Sequence, residues 1–404
     1  MSTSLTPLNH ALEQLLADAR VNSREVDLPL REALGCVLAN SRSAAIDVPA
    51  FDNSAMDGYA VNTADVTDAG CVLPVSQTIA AGHPGTPLVA GSAARIFTGA
   101  PIPEGCNAVV IQENTARDED RVTILQVPVA GENIRGKGHD IARGSEVLKA
   151  GHRLRPQDLG MLASLGIPAV RVKQPMKVAI INTGDEVIPP DQELGPGQIY
   201  DSNSFTLEGL LQGMGMTVIR KGIVADTLAG TQAVLQEAAA DADCILSTGG
   251  VSVGDEDHVR QAVQSLGSLD LWKLAIKPGK PFSYGRVNGK PFFGLPGNPV
   301  AVFVTFAMLV RPYLLKVQGA SQLALPTLRV RAGFDISEAG SRLEFIRVRL
   351  VSDQEGEQEL QPFGNQGSSI MTSLSWADGI AEIPLGTTIS RGQMLNYFPF
   401  NGLL

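Results

Sequence analysis

The residues best suited to chemistry in this chain lie in one stretch, Gly249–Gly297. It contains the segments GGVSVGDED, KLAIKPGKPF and GLPGNP, and each follows an apolar run with the character of a β-strand. Glycines let the backbone N–H groups approach an anion, lysines neutralise its charge, and carboxylates coordinate a hard cation. The stretch therefore predicts a site for a phosphate-bearing ligand together with a metal ion.

Similar loops follow other predicted strands. In an open α/β sheet, ligands bind outside the carboxyl ends of the strands, so such loops share one edge. One strand ends at TGDE (183–186), a second near Asp226, a third at STGG (247–250) and a fourth at PGNP (296–299). The substrate-binding candidates on this edge are Thr183, Gly184, Asp185, Ser247, Thr248, Gly249, Gly250, Ser252, Pro296, Gly297, Asn298 and Pro299.

Charged residues and a helix start complete this candidate site. Asn298 is predicted as a helix N-cap with Pro299 at the first helical position. The lysines that can neutralise phosphate or another oxyanion are Lys273, Lys277 and Lys280. The carboxylates that suit Mg²⁺ are Asp185, Glu186, Asp226 and Asp257. Each motif alone is common in structural turns, but together on one edge they indicate a binding site.

A second group of polar turns lies nearer the N-terminus. It comprises FDNSAMDGYA (51–60), TGAPIP (98–103) and GKGHDI (136–141). Taken singly, each is typical of a turn between strands. His139 is interpreted as a surface-loop histidine, because the five histidines show no spacing typical of metal ligands.

The periodicity of the chain predicts a multidomain α/β plus β protein. Apolar strands alternating with helices over 175–324 indicate a doubly wound parallel sheet covered on both faces. Short strands over 48–140 predict an inserted β-rich domain, and those over 325–404 a small β-barrel. Residues 1–47 and 141–174 are predicted to form a mixed N-terminal domain, whose first helix is expected to pack on the α/β domain.

Composition excludes several classes of function. A net charge of −10 and 5% aromatic residues argue against nucleic-acid binding.

The sequence shows neither a signal peptide nor a membrane span. The N-terminus lacks the features of a signal peptide, so we expect a cytoplasmic protein. The longest apolar run, Val300–Val310, is about half as long as a membrane span, so we expect it to form a buried helix. The four cysteines have neither metal nor redox spacing. No Walker or GxGxxG motif is present, which disfavours a usual kinase or dehydrogenase.

Seven segments in one order resemble a known family. They are PAFDNSAMDGYAV, TGAPIPEG, GHDI, TGDE, GGVSVGDED, KLAIKPGKP and GLPGNPV. The chain is similar over nearly its whole length to molybdopterin molybdenumtransferases, the MoeA family, which includes the E domain of gephyrin. The resemblance implies a MogA/MoaB-like α/β domain and the insertion of molybdate into adenylylated molybdopterin, with Mg²⁺ required and AMP released.

The resemblance also implies an elongated homodimer, with partners among the molybdopterin adenylyltransferase and other cofactor-biosynthesis proteins. The active cleft would lie between the α/β domain of one subunit and the β-rich domain of the other. The implied catalytic residues are Asp57, Thr98, Asp140, Glu186, Asp226 and Asp257, with Mg²⁺ on Glu186, Asp226 and Asp257. Lys273, Lys277 and Arg135 match basic cleft positions. His139 departs from a commonly acidic position, and Asp255 is an extra acid of unknown role.

Three other interpretations stay open from the sequence. The preceding step, adenylation of molybdopterin by a MogA-like enzyme, uses the same α/β domain without the flanking domains. A gephyrin-like scaffold would present a peptide groove, although it would not require the charged cleft residues. Tungstate differs too little from molybdate in size and charge for the sequence to separate them, and the nucleophile that cleaves the adenylate is open as well.

Overall fold

A computed structural model of the chain describes residues 5–225, 227–249 and 258–403. These residues divide into two units. The β-rich unit comprises Ser41–Lys149 and Gly160–Pro168, and the main unit comprises the described parts of Met1–Asn40, Ala150–Leu159 and Ala169–Leu404. The domain boundaries expected from the sequence stay a prediction.

The N-terminal segment belongs to the main unit. Helix α1 (Leu8–Asp18) has apolar residues at helical spacing, and Leu8, Ala11 and Leu15 are buried in the core of the α/β sheet. Strand β1 (Glu25–Pro29) then pairs antiparallel with β12 (Ala169–Lys173).

The β-rich unit is built around a six-stranded sheet of order β7-β4-β6-β5-β9-β8. Tyr59 and Val61 pack in one apolar cluster and Ala60 in another, as expected when successive strand residues face opposite sides. The pairs β2–β11 and β3–β10 extend the unit. Its strands are β2 (Arg42–Ser43), β3 (Asn53–Ser54), β4 (Gly58–Val61), β5 (Cys71–Ile79), β6 (Ala93–Ile96), β7 (Ala108–Ile111), β8 (Thr115–Asp118), β9 (Arg121–Ile124), β10 (Ile134–Arg135) and β11 (Glu146–Leu148).

Helix α2 (Pro156–Ser164) has residues in both units. It begins at Pro156, because proline suits a first helical position. Gly166 follows its end with φ +73, the left-handed conformation typical of a glycine that terminates a helix.

The α/β sheet of the main unit has the order β16-β13-β17-β21-β20-β18. Its first four strands are parallel, as predicted, whereas β20 runs antiparallel to both β21 and β18. The chain returns through β20 to β21 by the tight turn at Asn288–Gly289, which produces antiparallel neighbours. Its strands are β13 (Lys177–Thr183), β16 (Thr217–Val224), β17 (Cys244–Thr248), β18 (Gly267–Lys273), β20 (Pro281–Val287) and β21 (Lys290–Leu295). The short strands β14 (Val187–Ile188) and β15 (Ile199–Tyr200) pair with each other, and β19 (Ile276–Lys277) pairs with β23 (Leu343–Ser352) of the C-terminal barrel.

Helices cover both faces of this sheet. Val178 and Ile180 of β13 belong to the core shared with α3 (Asn203–Gly213), while Ala179 and Ile181 pack with α4 (Leu228–Asp241) and α5 (His258–Leu266). The alternation explains why the strand is apolar throughout.

A single long helix follows β21. Segments α6 (Pro299–Thr305), a π-helical turn (Phe306–Val310) and α7 (Arg311–Val317) run without a break. Pro312 cannot donate a backbone hydrogen bond to the preceding turn, which accounts for the irregular segment before it. An 18-residue stretch of this helix has a mean hydropathy of 1.8, and 78% of that stretch is buried in the protein. The prediction of a buried helix is confirmed.

The C-terminal strands close into a five-stranded barrel of order β23-β24-β22-β26-β25, with β25 returning to β23. Val348, Leu360 and Tyr397 belong to its core. The predicted fold class is therefore confirmed. The elements are β22 (Leu328–Ala332), β23 (Leu343–Ser352), β24 (Gln358–Pro362), α8 (Met371–Trp376), β25 (Gly379–Ile383) and β26 (Met394–Pro399).

Candidate functional site

A pocket of ≈ 310 Å³ lies at the carboxyl ends of the parallel strands, and we call it the edge pocket. It forms where β13, β17 and β21 end, because parallel strands bring their carboxyl ends to one edge. Of the predicted site residues, the edge pocket is lined by Thr183, Glu186, Thr248, Gly249, Gly297, Asn298 and Pro299.

Buried hydrogen bonds hold the floor of the edge pocket. The Asn182 amide oxygen accepts a hydrogen bond from the Thr248 hydroxyl, and its nitrogen donates to Ser204 Oγ over 2.9 Å. Asn182 is only 2% exposed, so this amide ties β13 to β17 and to the start of α3. Asn203 donates to the carbonyl of Gly297 over 2.8 Å. The three loops around the pocket are thus fixed by side-chain amides.

Gly249 is required where β17 ends. Its φ is +81, and a Cβ atom there would lie 2.6 Å from the carbonyl oxygen of Thr183. Any side chain would therefore be strained in conformation and would collide with a backbone atom. The glycine allows the ends of β13 and β17 to approach each other at the pocket.

The start of α6 forms another wall. Asn298 occupies the N-cap position and Pro299 the first helical position, as predicted. The Asn298 side chain does not cap the helix but donates to Ser368 Oγ over 3.0 Å, and the carbonyl of Ser368 accepts from the N–H of Val300. A loop that precedes α8 therefore supplies the cap.

Of the three residues that the family resemblance implies as Mg²⁺ ligands, the structure describes Glu186, which is exposed at the edge pocket. Asp185, the other described carboxylate suited to Mg²⁺, lies outside the pocket lining. The described lining contains carboxylate, hydroxyl and amide oxygens and no His or Cys, and oxygen is the type of ligand that Mg²⁺ prefers. Two oxygens on this lining, Thr183 Oγ1 and Asn203 Oδ1, are buried and have no hydrogen-bond partner in the described part of the chain.

The residues the structure describes contain no group of three His, Cys, Asp or Glu side chains that could hold a metal. A complete Mg²⁺ site in this chain would need the other two predicted ligands, Asp226 and Asp257. These two residues lie outside the described residues, as do the predicted site residues Gly250 and Ser252 and the extra acid Asp255.

The predicted lysines lie on the same sheet edge but do not line the edge pocket. Lys273 ends β18, and β18 lies three strands from β17, a separation of roughly 15 Å at normal strand spacing. Lys277 lies in β19 and contacts Glu344 of the barrel, with 2.9 Å between Nζ and Oε1. Lys280 is exposed in the loop before β20.

The remaining predicted residues of this edge surround the edge pocket without lining it. Gly184 and Asp185 form the turn that follows β13, Ser247 is buried in β17, and Pro296 is buried directly after β21.

In the β-rich unit, the structure brings Asp57 and Thr98 together. Asp57 Oδ1 accepts hydrogen bonds from the backbone N–H and the hydroxyl of Thr98, each over 2.8 Å. These bonds, with the charge of Arg95, lower the pKa of Asp57 below its usual range. Arg95 is held over the rings of Tyr59 and Phe97, 5.3 and 4.7 Å from their centroids.

The three polar turns predicted in this unit are joined through the FDNSAMDG segment. Ser54 exchanges backbone hydrogen bonds with the 99–100 turn, and Asn53 pairs with Arg135 across β3 and β10. Asp140 donates its backbone N–H to the carbonyl of Val48. No hydrogen bond joins the Asp140 side chain to Asp57 or Thr98 among the described residues.

Five residues that shape these sites were not among the candidates predicted from the sequence: Arg95, Asn182, Asp201, Asn203 and Ser368. The run DSNS (201–204) carries a recognisable signal, since such residues favour helix N-termini, and Asp201 accepts from the N–H of Ser204 over 3.0 Å. Ser368 lies in a loop with no periodic pattern, so only the fold reveals it.

Comparison with known proteins agrees with this architecture. Three family profiles match in order: MoeA N-terminal region (domain I and II) at residues 6–166, a probable molybdopterin binding domain at 179–316, and MoeA C-terminal region (domain IV) at 329–400. Together they span the β-rich unit, the α/β sheet and the barrel.

Individual relatives match over nearly the full length. A molybdopterin molybdenumtransferase of Haemophilus influenzae is 38% identical over 98% of this chain and 99% of its own. One from Nostoc sp. is 38% identical over 93% and 88%. The crystal structure of the molybdopterin biosynthesis moeA protein from Pyrococcus horikoshii OT3 matches with a TM-score of 0.79 at 32% identity, covering 98% and 100%. The chain therefore belongs to the molybdopterin molybdenumtransferases, the MoeA family of molybdenum cofactor biosynthesis.

Proposed function

We propose that this chain inserts molybdate into adenylylated molybdopterin, cleaving the phosphoanhydride and releasing AMP and the molybdenum cofactor, in a Mg²⁺-dependent reaction. The observation that carries the proposal is the edge pocket, where Thr183, Glu186, Thr248 and Gly249 meet the start of α6. In a member of this family, such a pocket supplies the groups that a phosphate and a hard cation need.

The residues of the edge pocket suit the phosphate groups of the substrate. Gly249 allows an anion to approach the backbone closely, and the hydroxyl of Thr183, which has no hydrogen-bond partner among the described residues, offers a further donor. Lys273, Lys277 and Lys280 lie farther along the same edge, so they would neutralise charge at the far end of an extended, pyrophosphate-bearing ligand.

Glu186, Asp226 and Asp257 would hold Mg²⁺. When bound there, the ion supplies electrostatic stabilisation of charge on the phosphate oxygens. The chain's own contribution is positional: the Asn182 amide fixes the end of β17 relative to β13, and the bond from Asn203 to Gly297 fixes the start of α6. Fixed donors of this kind lose little free energy to reorganisation during the reaction.

The direct test is to incubate the purified chain with adenylylated molybdopterin, Mg²⁺ and molybdate, and to follow AMP release. We expect release that depends on molybdate and on Mg²⁺. ATP consumption without molybdate would instead identify a molybdopterin adenylyltransferase, and no nucleotide turnover together with peptide binding would identify a scaffold. A parallel series with tungstate determines the preferred oxyanion.

The proposal includes a homodimer in the cytoplasm, in which Asp57, Thr98, Arg135 and Asp140 of one subunit serve the edge pocket of the other. Its support is the family resemblance, together with the ionised carboxylate that Thr98 holds in place. Mixing Asp57→Ala and Glu186→Ala subunits tests it, because random pairing would restore one intact site in half of the dimers and about a quarter of wild-type activity. Absence of restored activity would place both residues in one subunit's site.

The molybdopterin adenylyltransferase, which would supply the substrate, is the proposed partner enzyme.

A further inference from the structure

A second polar cavity, of ≈ 280 Å³, lies beside Arg311 at the start of α7, and we call it the arginine cavity. It lies about 18 Å along the helix axis from Pro299, which lines the edge pocket. The charged or imidazole side chains on its lining are His152, Arg153, Arg155 and Arg311. No carboxylate lines this cavity among the described residues.

Arg311 is a buried cation without a carboxylate partner in the described part of the chain. It is 5% exposed, and its guanidinium donates to the carbonyls of Leu403, Leu323 and Gly402 over 3.2, 3.0 and 3.1 Å. Burial, with a smaller contribution from Arg153, lowers the pKa of Arg311 to about 10, so it remains charged at neutral pH. Carbonyl dipoles solvate this charge but do not neutralise it.

The neighbouring charges leave an excess of positive charge. Asp158 pairs with Arg155 over 3.0 Å and contacts His152 over 2.8 Å, so its single negative charge is already engaged. Arg153 donates to the carbonyls of Gly35 and Gly213, both neutral. Arg153 and Arg311 are thus two cations facing one cavity with no opposing charge among the described residues. A bound anion would relieve their mutual repulsion.

We propose that the arginine cavity is a binding site for a free tetrahedral dianion of the inorganic phosphate class, a site separate from the proposed function. Guanidinium groups match the oxygens of such an anion in charge and in hydrogen-bond geometry. Gln322 and Ser321, both exposed on the lining, supply further polar contacts. The volume is several times the roughly 30 Å³ of a water molecule, so the anion fits together with bound water.

The test is calorimetric titration of the full chain with inorganic phosphate at constant ionic strength. Gln322→Glu adds a negative charge to the lining without removing any described contact, and Arg155→Gln removes a positive one. Gln236→Glu, at an exposed position of α4 outside the cavity, is the matched control. Melting temperatures in chloride verify that each variant is folded.

We expect saturable phosphate binding in the wild type and in Gln236→Glu, with Kd raised about tenfold in Gln322→Glu and in Arg155→Gln. Sulfate should compete with phosphate and nitrate should not. The proposal is overturned if the wild type shows no saturable binding, or if Gln322→Glu binds phosphate with the wild-type Kd.

Discussion

Asp57 Oδ1 accepts two hydrogen bonds from one residue, Thr98, although 41 positions separate them in the chain. The backbone N–H and the hydroxyl each donate over 2.8 Å, and they hold the carboxylate in a single orientation. The bonded form is the ionised one, so the pKa of Asp57 lies below its usual range.

Replacing Thr98 by Val should raise the pKa of Asp57 only part of the way to its usual value. The hydroxyl is lost, but the backbone N–H, which is the larger cause of the lowering, still donates. Because the pKa of Asp57 is lowered in the folded protein, its ionised carboxylate stabilises the fold above the usual pKa of an aspartate, and this stabilisation is lost as the pH falls. In Thr98→Val the stabilisation is smaller, so less of it remains to be lost in acid. Titration of the carboxyl carbon by NMR measures the shift. Thr123→Val on β9 is the control, and an unchanged Asp57 pKa in Thr98→Val would contradict the assignment.

Asp158 should make the protein acid-sensitive over a defined range. Burial raises the pKa of Asp158, but hydrogen bonds from Arg155 and His152 outweigh it and bring the pKa to about 2. The stabilisation is therefore complete above about pH 4 and is lost as the pH falls towards 2. It amounts to about 2 kcal/mol, since one pKa unit corresponds to roughly 1.4 kcal/mol.

Urea denaturation from pH 7 to pH 2 measures this contribution. Asp158→Asn should be less stable than wild type by about 2 kcal/mol at pH 7, and the difference should shrink as the pH falls. A difference that does not depend on pH would mean that the carboxylate charge is not responsible.

Gly249→Ala should lower the free energy of unfolding by more than the cost of placing alanine in a left-handed backbone conformation, because the new Cβ atom would also collide with the Thr183 carbonyl. Gly197 has a φ of +80, close to the +81 of Gly249, but a Cβ atom added there would have no neighbour within 4 Å. Gly197→Ala therefore measures the conformational strain by itself. We expect a cost of roughly 1 kcal/mol for Gly197→Ala and at least 1 kcal/mol more for Gly249→Ala. Chemical denaturation compares the two, and equal costs would show that the Thr183 carbonyl is not in the way.

Glu186→Ala should abolish AMP release while leaving the fold intact, because the side chain is exposed at the edge pocket. Glu193→Ala, at an exposed position outside that pocket, is the control and should keep wild-type activity. Circular dichroism and melting temperature check the fold of both variants. Full activity of Glu186→Ala would remove this residue from the mechanism.

Leu15→Ala should destabilise the main unit by about 2–5 kcal/mol, because Leu15 is completely buried in the core shared by α1 and the α/β sheet. Leu34 is 51% exposed, so the same truncation there should change the free energy of unfolding by less than about 0.5 kcal/mol. Urea denaturation measures both. A small effect at Leu15 would mean that α1 contributes little to the core.

The local elements were predictable because their signals are local. Apolar strands alternating with helices were predicted over 175–324, and the strand at Lys177–Thr183 followed by the helix at Asn203–Gly213 confirms this alternation. The edge pocket followed from one topological rule, since parallel strands bring Thr183, Thr248 and Asn298 to the same edge whatever their separation in the chain. The antiparallel β20 was not predicted, because an apolar strand has the same pattern in either direction.

The sequence by itself determined most of the strands and helices and which loops share one edge of the α/β sheet. Only the tertiary structure decided which side chains meet: Asn182 with Thr248, Lys277 with Glu344, and Asn298 with Ser368. These contacts join residues far apart in the chain and depend on strand register and on side-chain direction, which hydrophobic periodicity does not encode. Arg311 is a further case. Its position in an apolar helix is visible in the sequence, but only the fold brings the carbonyls of Gly402 and Leu403, about 90 positions away, to its guanidinium.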